Sequence, residues 1–353
     1  MTEAAAALPE ERSPSVEFAV EPFSRCAADV LAFRNVNRPI AREQRYFEWR
    51  YRRPCAHEPL IVWARDRGGQ PIGAASVIPH DYFVLDQIRP VGLLGDISVL
   101  PSHRGQGIAG RMLGFLARHE ALRSMRACVV LPNDDVAGAL RRAGWRDATT
   151  IHRFVKLLDV RPLLERRLGA TAPTRWLAAA VNGALRALAP APRYEVRETT
   201  AFDDRYDALW EAVAVPGRVL AVRNRAYLTW RFAQHPLGSC RVVEIADAGR
   251  LKGYAVFHRQ GDLAVVDDYL ADSPDALVPL FAALFERVRE AGGSTRLQVR
   301  TNRDARLALP WRRLGFLRRK DTQRVMVLDP HAAAGPLVAA GYEWHVTAGD
   351  KDV

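Results

Sequence analysis

The feature that most constrains this chain is a strand, a sharp turn and a helix that follow one another between residues 93 and 119. Apolar and polar residues alternate over 93–100, which predicts a strand that ends at Pro101. Apolar residues then recur at helical spacing from Ile108 to Leu116, which predicts a helix. The first amides of a helix lack backbone partners and carry partial positive charge. A strand that leads into such a helix start can therefore bind an anion.

The turn before this helix carries the residues that an anion site needs. Gly105, Gly107 and Gly110 leave room for a phosphate close to the backbone, and Arg104 adds a positive charge. The lysine and the serine or threonine of a P-loop are absent. The glycine spacing resembles a dinucleotide-binding turn, but no acidic residue follows on a second parallel strand about 20 residues on. Both of these phosphate-binding motifs are therefore excluded.

The run Arg104-Gly105-Gln106-Gly107-Ile108-Ala109 resembles the Arg/Gln-x-x-Gly-x-Gly/Ala signature of the GNAT acyltransferases, and the Val-x-Pro strand end of that family precedes it. The resemblance implies that the turn binds the pyrophosphate of acetyl-CoA or another acyl-CoA. It also implies that the strand before the turn pairs with the pantetheine arm. The residues expected to contact acyl-CoA are Ile97, Ser98, Val99, Arg104, Gly105, Gln106, Gly107, Ile108, Ala109 and Gly110.

The composition is that of a soluble globular protein. Its 353 residues suffice for two domains, and 48% of them are hydrophobic. The net charge of +11 would suit nucleic acid, but the arginines are spread along the chain, so nucleic acid is not expected as a partner. The cysteines and histidines show no metal-ligand spacing, so no metal is expected. No signal peptide or membrane-spanning run is recognisable, which predicts a cytoplasmic protein.

The order of predicted elements indicates an α/β fold of the α+β type. Strand, helix, hairpin, strand, helix, strand, helix and strand follow one another up to residue 158, which is the order of GNAT domains. The resemblance therefore implies a mixed, mostly antiparallel central sheet flanked by helices. Residues 1–14 are expected to be disordered, and residues 15–158 to form the catalytic domain.

The second half of the chain repeats landmarks of the first. Residues 227–232 (Tyr-Leu-Thr-Trp-Arg-Phe) mirror residues 46–51 (Tyr-Phe-Glu-Trp-Arg-Tyr), and residues 312–316 mirror residues 141–145 at a similar offset. Landmarks at nearly constant offset predict a duplicated domain, here over residues 194–330. The two tryptophans of the aromatic segments are interpreted as core anchors.

The copy lacks the residues of the anion site. Leu270–Asp275, its counterpart of the glycine-rich turn, has no glycine cluster and carries acidic groups that would repel a pyrophosphate. We therefore expect two GNAT-like domains, the second of which is degenerate and shapes the acceptor cleft.

Residues 159–193 are predicted to form a helical linker. Apolar residues from Trp176 to Leu188 share one face of a helix, and we expect this face to pack between the domains. Alternatively, a basic amphipathic helix at 174–189 could make peripheral contact with a membrane. Residues 331–353 are expected to form a C-terminal tail. The paired aromatic segments and Trp344–Asp350 also resemble GNAT-like proteins of bacterial polysaccharide gene clusters.

Acyl transfer to an amine needs a neutral amine, a donor for the oxyanion and a setting that tolerates the leaving thiolate. The resemblance implies direct attack in a ternary complex, and it assigns the oxyanion to the backbone N–H of Val99. Asp96 alternates away from Ile97 and is the candidate base, although a hydrogen-bonded strand-end carboxylate is an equal alternative. His80 and Asp81, after the preceding strand, form a second candidate pair.

The general acid is not identified by the sequence. The family usually supplies a tyrosine on the helix after the fifth strand, but residues 133–142 contain none. Asn133 could hold the pantetheine or a water there. Solvent or another tyrosine, such as Tyr82, could protonate the thiolate.

These observations predict an N-acyltransferase that moves an acetyl or other acyl group from acyl-CoA to a primary amine of a small molecule or sugar. One alternative is a non-catalytic CoA-binding or scaffold protein, which the missing tyrosine favours. The other is an aminoacyl-tRNA-dependent transferase, which the basic charge permits but the intact CoA signature disfavours.

Overall fold

A computed structural model describes residues 16–36, 42–187, 193–238, 240–302, 311–312, 314–331, 337 and 342–351. The N-terminal residues expected to be disordered lie outside this described part. The first half contains β1 (Glu17–Pro22), α1 (Phe23–Val36), α2 (Gln44–Tyr51), β2 (Leu60–Arg65), β3 (Pro71–Val84), β4 (Gln87–Val99), α3 (Ile108–Leu116), β5 (Ala127–Val130), α4 (Asp134–Arg142) and β6 (Arg146–Leu157).

Two helices follow as the connection, α5 (Arg161–Leu168) and α6 (Ala172–Ala187). The second half contains β7 (Glu195–Thr199), α7 (Arg205–Val213), β8 (Arg218–Ala221), α8 (Arg225–Leu228), β9 (Arg241–Asp247), β10 (Arg250–Gln260), β11 (Leu263–Ala271), α9 (Pro274–Ala291), β12 (Arg296–Asn302), β13 (Phe316–Leu328) and β14 (Glu343–His345). Short 3₁₀ turns lie at Pro101–His103, Glu120–Ser124 and Ala348–Asp350, and a π-helical turn at Thr229–Ala233.

The described strands join one sheet. Its order is β1-β2-β3-β4-β5-β13-β6-β12-β11-β10-β9-β7, with β8 attached to β3 and β14 attached to β8. Parallel pairing occurs between β4 and β5, between β11 and β12 and between β8 and β14, and the other pairs are antiparallel. Helix α3 packs on β2 and β4, and α9 packs on β9 and β10. The predicted fold class, a mixed and mostly antiparallel sheet flanked by helices, is confirmed.

The main run of strands is symmetrical about the β13–β6 pair, because each half contributes one strand to the other half. β13 pairs with β5 of the first half, and β6 pairs with β12 of the second. Burial stabilises the pairing of β13 with β5, because Val325, Met326 and Val327 near that end of β13 are buried. Leu317, at the other end of β13, is exposed. The expected domains 15–158 and 194–330 are therefore interlocked, and neither range contains a complete sheet.

The two repeated aromatic segments meet in the structure. Trp49 Nε1 donates a hydrogen bond to the Trp230 carbonyl at 2.8 Å, and Trp230 Nε1 donates one to the Trp49 carbonyl at 2.9 Å. The two rings stack with centroids 5.0 Å apart. This reciprocal contact supports the predicted duplication, and it supports the interpretation of both tryptophans as packing anchors.

Helix α6 packs with the opposite face from the one predicted. Thr174 and Ala178 are buried, and Asn182 binds the chain at Asp159, whereas Trp176 is 78% exposed. The expectation that the apolar face packs between the domains is therefore wrong, because polar contacts of Asn182 orient the helix instead. Among the described residues, no helix is both long and apolar enough to cross a membrane.

The C-terminal segment, expected to be a tail, belongs to the core. β14 pairs with β8 of the sheet, and Trp344, Val346 and Thr347 are buried. The isolated bridge between Thr301 and Thr347 ties the segment to β12. Buried side chains and backbone pairing thus tie residues 343–350 into the fold.

Candidate active site

The glycine-rich turn has the backbone that the sequence predicts. After the 3₁₀ turn at Pro101–His103, Gly105 and Gly107 adopt φ values of 80° and 70°, in the left-handed region. A Cβ atom at either position would meet nothing within 4 Å, so the turn needs glycine for conformation and is open to solvent. Gly107 is the N-cap of α3, and no described side chain caps this helix. The amides of its first turn are therefore available to an anion.

The helix behind the turn is fixed by its buried face. Ile108, Met112, Leu113 and Leu116 are buried in a cluster that also contains Leu140 of α4. Burying each such side chain stabilises the fold by roughly 1.5–3 kcal/mol, so the helix start is held in place. Gly110 faces α4, since a Cβ there would lie 3.8 Å from the Ala139 Cβ.

The two parallel strands beside the turn diverge. β4 and β5 pair at Val91–Leu93 with Ala127–Val129, and beyond these residues the ladder stops. The gap contains a cavity of about 140 Å³ that the two strands, α2 and the C-terminal segment enclose. Its lining residues are Arg50, Leu93, Leu94, Gly95, Asp96, Val129, Val130, Leu131, Asp350 and Lys351.

β4 has a bulge at the edge of this cavity. Ala74 pairs with Ser98 and Ser76 with Gly95, so Asp96 and Ile97 together oppose Ala75. Asp96 has a φ of 53°, which is the strained, left-handed conformation that a bulge imposes. The bulge thereby turns the end of β4 toward the gap.

The backbone of Val99 points away from β3. The Leu100 amide donates to the Ile72 carbonyl at 2.9 Å, and antiparallel pairs alternate, so the neighbouring Val99–Gly73 pair is not hydrogen-bonded. The carbonyl of Val99 agrees with this direction, because it accepts from Arg104 Nε at 3.2 Å. The Val99 N–H therefore lies on the β5 side of the strand.

The carboxylate of Asp96 is held by its neighbours. Arg50 Nε and Nη2 each lie 3.0 Å from Asp96 Oδ2, and the Tyr51 hydroxyl donates to the same oxygen at 3.1 Å. Arg34 Nη1 donates to the Asp96 carbonyl and, at 3.0 Å, to Ser98 Oγ. Burial, with the Asp96 carboxylate, raises the pKa of Tyr51. Arg34 and Arg50 were not singled out by the sequence, although Arg50 belongs to the repeated aromatic segment.

Asn133 caps α4, since its side chain accepts from the Val136 amide at 3.2 Å. Asn302 is its counterpart in the second half, because each asparagine follows a hydrophobic strand segment, but Asn302 makes different contacts. Asn302 Nδ2 donates to the Trp344 carbonyl at 2.5 Å, and its Oδ1 accepts from the Val346 amide at 2.9 Å. Asn302 thus binds an extended segment of the chain around Trp344–Val346.

Residues 345–350, which continue this segment, occupy the gap between β11 and β12 in the second half. β11 and β12 pair from Leu263 with Arg296 to Val266 with Val299, and then diverge. His345 Nε2 lies 3.0 Å from the Tyr269 carbonyl of β11, and Val346 accepts from Thr301 Oγ1 of β12 at 2.9 Å. A Cβ at Gly349 would lie 3.1 Å from the Asp267 carbonyl, which shows how tightly the segment fits.

The same segment brings Asp350 to the cavity of the first half. Asp350 Oδ2 accepts from Arg223 Nη2 at 2.6 Å and from the Thr347 amide at 2.8 Å. Its Oδ1 is buried without a hydrogen-bond partner among the described residues. Burial raises the pKa of Asp350, the nearby Asp268 carboxylate adds to the rise, and the Arg223 guanidinium opposes it. Sequence analysis noted Trp344–Asp350 only as a resemblance and missed this carboxylate.

The other candidates lie apart from the bulge. His80 is buried and stacks on Tyr227 with centroids 4.3 Å apart, and burial holds its pKa well below the usual value. Tyr82 is six residues along β3 from Ser76, roughly 20 Å at ~3.3 Å per residue. Burial also raises its pKa well above the ordinary value. Tyr82 nevertheless packs in the same buried cluster as Leu93 and Val129 of the cavity, and the Asp350 carboxylate contributes to the rise of its pKa.

Further cavities adjoin the site. One of about 330 Å³ shares Lys351 with the cavity between β4 and β5. Its charged lining is mostly basic, with Arg153, Arg300, Arg324 and Lys351 against Asp134 and Asp321. A larger one of about 890 Å³ is lined by the loop after α2, Asp81 and α7, away from the bulge. Among the described residues, no group of three or more His, Cys, Asp or Glu could hold a metal.

Residues 27–145 match the family model of the acetyltransferase (GNAT) family. These residues form a GNAT domain. The resemblance predicted from Arg104–Ala109 is thereby confirmed, and the domain includes the glycine-rich turn, the bulge and the gap between β4 and β5. The match supports acyl transfer from acyl-CoA. No match was found among curated protein sequences.

Solved structures resemble the chain over nearly its whole length. A GCN5-related N-acetyltransferase from Anabaena variabilis superposes with a TM-score of 0.61 at 11% identity, covering 90% of this chain and 74% of the other. One from Kribbella flavida gives 0.59 at 14% identity, covering 96% and 82%. N-myristoyltransferase of Saccharomyces cerevisiae, with bound myristoyl-CoA, gives 0.53 at 11%, covering 92% and 85%. At these identities the likeness shows the fold, and it extends over both halves.

Proposed function

We propose that this protein transfers an acetyl or other acyl group from acyl-CoA to a primary amine of a small molecule or sugar. The observation that carries the proposal is the alignment of three features on one strand. The strand β4 first borders the cavity between the diverging strands, then carries the bulge, and leads into the uncapped start of α3. An acyl group in the cavity, a thioester at the bulge and a diphosphate at the helix start fit these features in that order.

In the proposed complex the amides of residues 104–110 bind the diphosphate and the edge of Ile97–Val99 pairs with the pantetheine arm. The second half supports this placement. There the equivalent gap already contains an extended segment, bound by Asn302 and Thr301. The gap between β4 and β5 is therefore of a kind that can accommodate a linear chain. Asn133, the counterpart of Asn302, is proposed to hold the pantetheine arm or a water.

The chemistry proposed is direct attack. The amine nitrogen forms a bond to the thioester carbonyl carbon, and the backbone N–H of Val99 donates to the oxyanion that develops. The carbon–sulfur bond then breaks, the attacking nitrogen gives up its second proton to solvent to leave the neutral amide, and the thiolate takes a proton from solvent. The proton that the ammonium group must lose first passes to a carboxylate in the cavity.

Asp350 fits the role of that base better than Asp96. Asp350 Oδ2 is anchored by Arg223, which leaves Oδ1 oriented and without a hydrogen-bond partner among the described residues. Its raised pKa also brings it closer to the pH at which an amine must be deprotonated. Asp96 Oδ2 instead binds Arg50 and Tyr51. We assign Asp96 to holding the bulge and α2, which is the second of the two roles expected of it.

The acceptor is proposed to enter from the basic cavity that shares Lys351. Arg153, Arg300 and Arg324 would attract an acceptor that carries a carboxylate or phosphate beside its amine. A panel of amines with and without an anionic group, assayed by release of free thiol from acetyl-CoA, tests this step. Faster turnover of the anionic amines supports the assignment, and equal turnover throughout contradicts it.

The binding site itself is tested with Gly107→Glu and titration calorimetry. The new carboxylate and the loss of the left-handed glycine should weaken CoA binding at least about 100-fold, since like charge and strain act together. Gly69→Glu is the matched control, because Gly69 has a φ of 78° and open space around it but lies in the β2–β3 turn. Equal CoA affinity in both variants would refute the site. CoA binding without turnover of any amine would instead support the non-catalytic alternative.

A further inference from the structure

The α5–α6 hairpin presents apolar side chains to solvent. Trp176 is 78% exposed, Leu168 is 58% exposed and Leu177 is 47% exposed. Leu163 and Val181 are also exposed. Several large apolar side chains exposed on one helical hairpin indicate a contact with another molecule or a membrane. The hairpin lies outside the GNAT domain and has no part in the acyl transfer described above.

The orientation of the hairpin is fixed by polar contacts on its inner side. Asn182 Nδ2 donates to Asp159 Oδ1 at 2.6 Å, and Asn182 Oδ1 accepts from the Val160 amide at 3.1 Å. Ala178 and Thr174, one and two turns before Asn182 on the same face, are buried. The apolar face of α6 therefore points outward because its polar stripe binds the protein, and rotation of the helix would break these bonds.

The charge of the hairpin selects its partner. Residues 161–187 contain five arginines against one acidic residue, Glu165. Glu165 is already paired, with Arg161 at 2.8 Å and Arg175 at 3.5 Å. Arg166 and Arg167 are exposed beside Leu168. A basic rim around tryptophan and leucine is the pattern of a helix that lies in a lipid interface.

We propose that the α5–α6 hairpin docks this protein onto an anionic lipid bilayer, with the helices in the plane of the interface. Trp176, Leu168 and Leu177 enter the headgroup region, and the exposed Arg166 and Arg167 bind the lipid phosphates. A second copy of the chain suits this face less, because it would bring two arginine-rich rims together. An anionic bilayer complements both the apolar and the charged residues.

The proposal is tested by co-sedimentation of the full chain with vesicles of phosphatidylcholine alone or with added phosphatidylglycerol. We expect binding to the anionic vesicles, weakening as salt is added. Arg166→Gln and Arg167→Gln should each weaken it about fivefold. The double substitution Trp176→Ser and Leu177→Ser should abolish it, and Leu317→Ser, which removes an equally exposed apolar side chain from β13, should leave it unchanged.

Thermal unfolding of each variant should show that the fold persists, because the substituted side chains are exposed. Failure of the unaltered protein to bind anionic vesicles at low salt overturns the proposal. Binding that survives the Trp176/Leu177 double substitution overturns it as well. Concentration-dependent self-association that this substitution removes, without vesicle binding, would assign the face to a second copy instead.

Discussion

Two pairs of parallel strands diverge in this molecule, and the two gaps differ in what they contain. The gap between β4 and β5 contains a cavity and leads to a glycine-rich, uncapped helix start. The gap between β11 and β12 contains the chain's own residues 345–350, and Pro274 and Asp275 begin the helix beside it. One gap is thus open, whereas the chain itself closes the equivalent gap in the other half. The filled cleft also supplies a carboxylate to the open one.

The largest effect is expected at Asp350, which belongs to the segment in the second gap and lines the cavity in the first. Asp350→Asn should lower kcat about 10²–10⁴-fold while CoA affinity stays the same, because the amine loses its proton acceptor. In the unaltered protein, kcat should fall as the pH drops through the raised pKa of Asp350, since the protonated carboxyl cannot accept a proton. The variant should lack this acidic limb. Asp247→Asn, on an exposed strand residue, is the control, and equal kcat in both variants would remove Asp350 from the mechanism.

A second effect should separate the two carboxylates of the cavity. Asp96→Asn removes the charge that pairs with buried Arg50, which should cost about 3–5 kcal/mol in the free energy of unfolding. Turnover should also fall, but the acidic limb of the pH profile should remain, because Asp350 is intact. Denaturant unfolding and a pH–rate profile measure the two outcomes. Loss of the acidic limb in this variant would restore Asp96 as the base.

The fit of the filled gap is tested with Gly349→Ala. The added Cβ would lie 3.1 Å from the Asp267 carbonyl and 3.2 Å from Phe232 Cζ, so the segment must shift. Overpacking of this kind costs about 1–3 kcal/mol, which thermal unfolding detects. Gly183→Ala is the control, because a Cβ there meets nothing within 4 Å. Unchanged stability in the Gly349 variant would show that the segment is not packed as described.

The smallest effect is expected at the reciprocal contact between Trp49 and Trp230, which joins the two halves. Trp230→Phe keeps an aromatic ring but removes the hydrogen bond to the Trp49 carbonyl, which should cost about 1 kcal/mol in the free energy of unfolding. Trp49→Phe should cost a similar amount, since its bond to the Trp230 carbonyl is the reciprocal one. Very different losses in the free energy of unfolding for the two variants would contradict the reciprocal geometry of the Trp49–Trp230 contact.

The sequence predicts the features that depend on local geometry. Gly105 and Gly107 predict a left-handed turn, and the apolar spacing from Ile108 predicts the helix behind it. The duplication was visible because Trp49 and Trp230 stand in similar segments. These signals require only neighbouring residues or a comparison of the chain with itself.

The remaining features depend on distant partners, which no local pattern specifies. No local pattern in β13 specifies pairing with β5 rather than with a strand of its own half, because the apolar residues of β13 would be buried in either arrangement. The role of Asp350 arises from Arg223, 127 residues away along the chain. The amphipathic pattern of α6 defines two faces but not which one meets the protein, and the polar contacts of Asn182 decide that.

The most direct test of the account is a crystal structure of the full chain with coenzyme A. The account predicts one CoA molecule, with its diphosphate on the amides of residues 104–110 and its pantetheine arm between β4 and β5. The gap between β11 and β12 should still contain residues 345–350. An empty glycine-rich turn, or CoA in the second gap in place of the C-terminal segment, would contradict it.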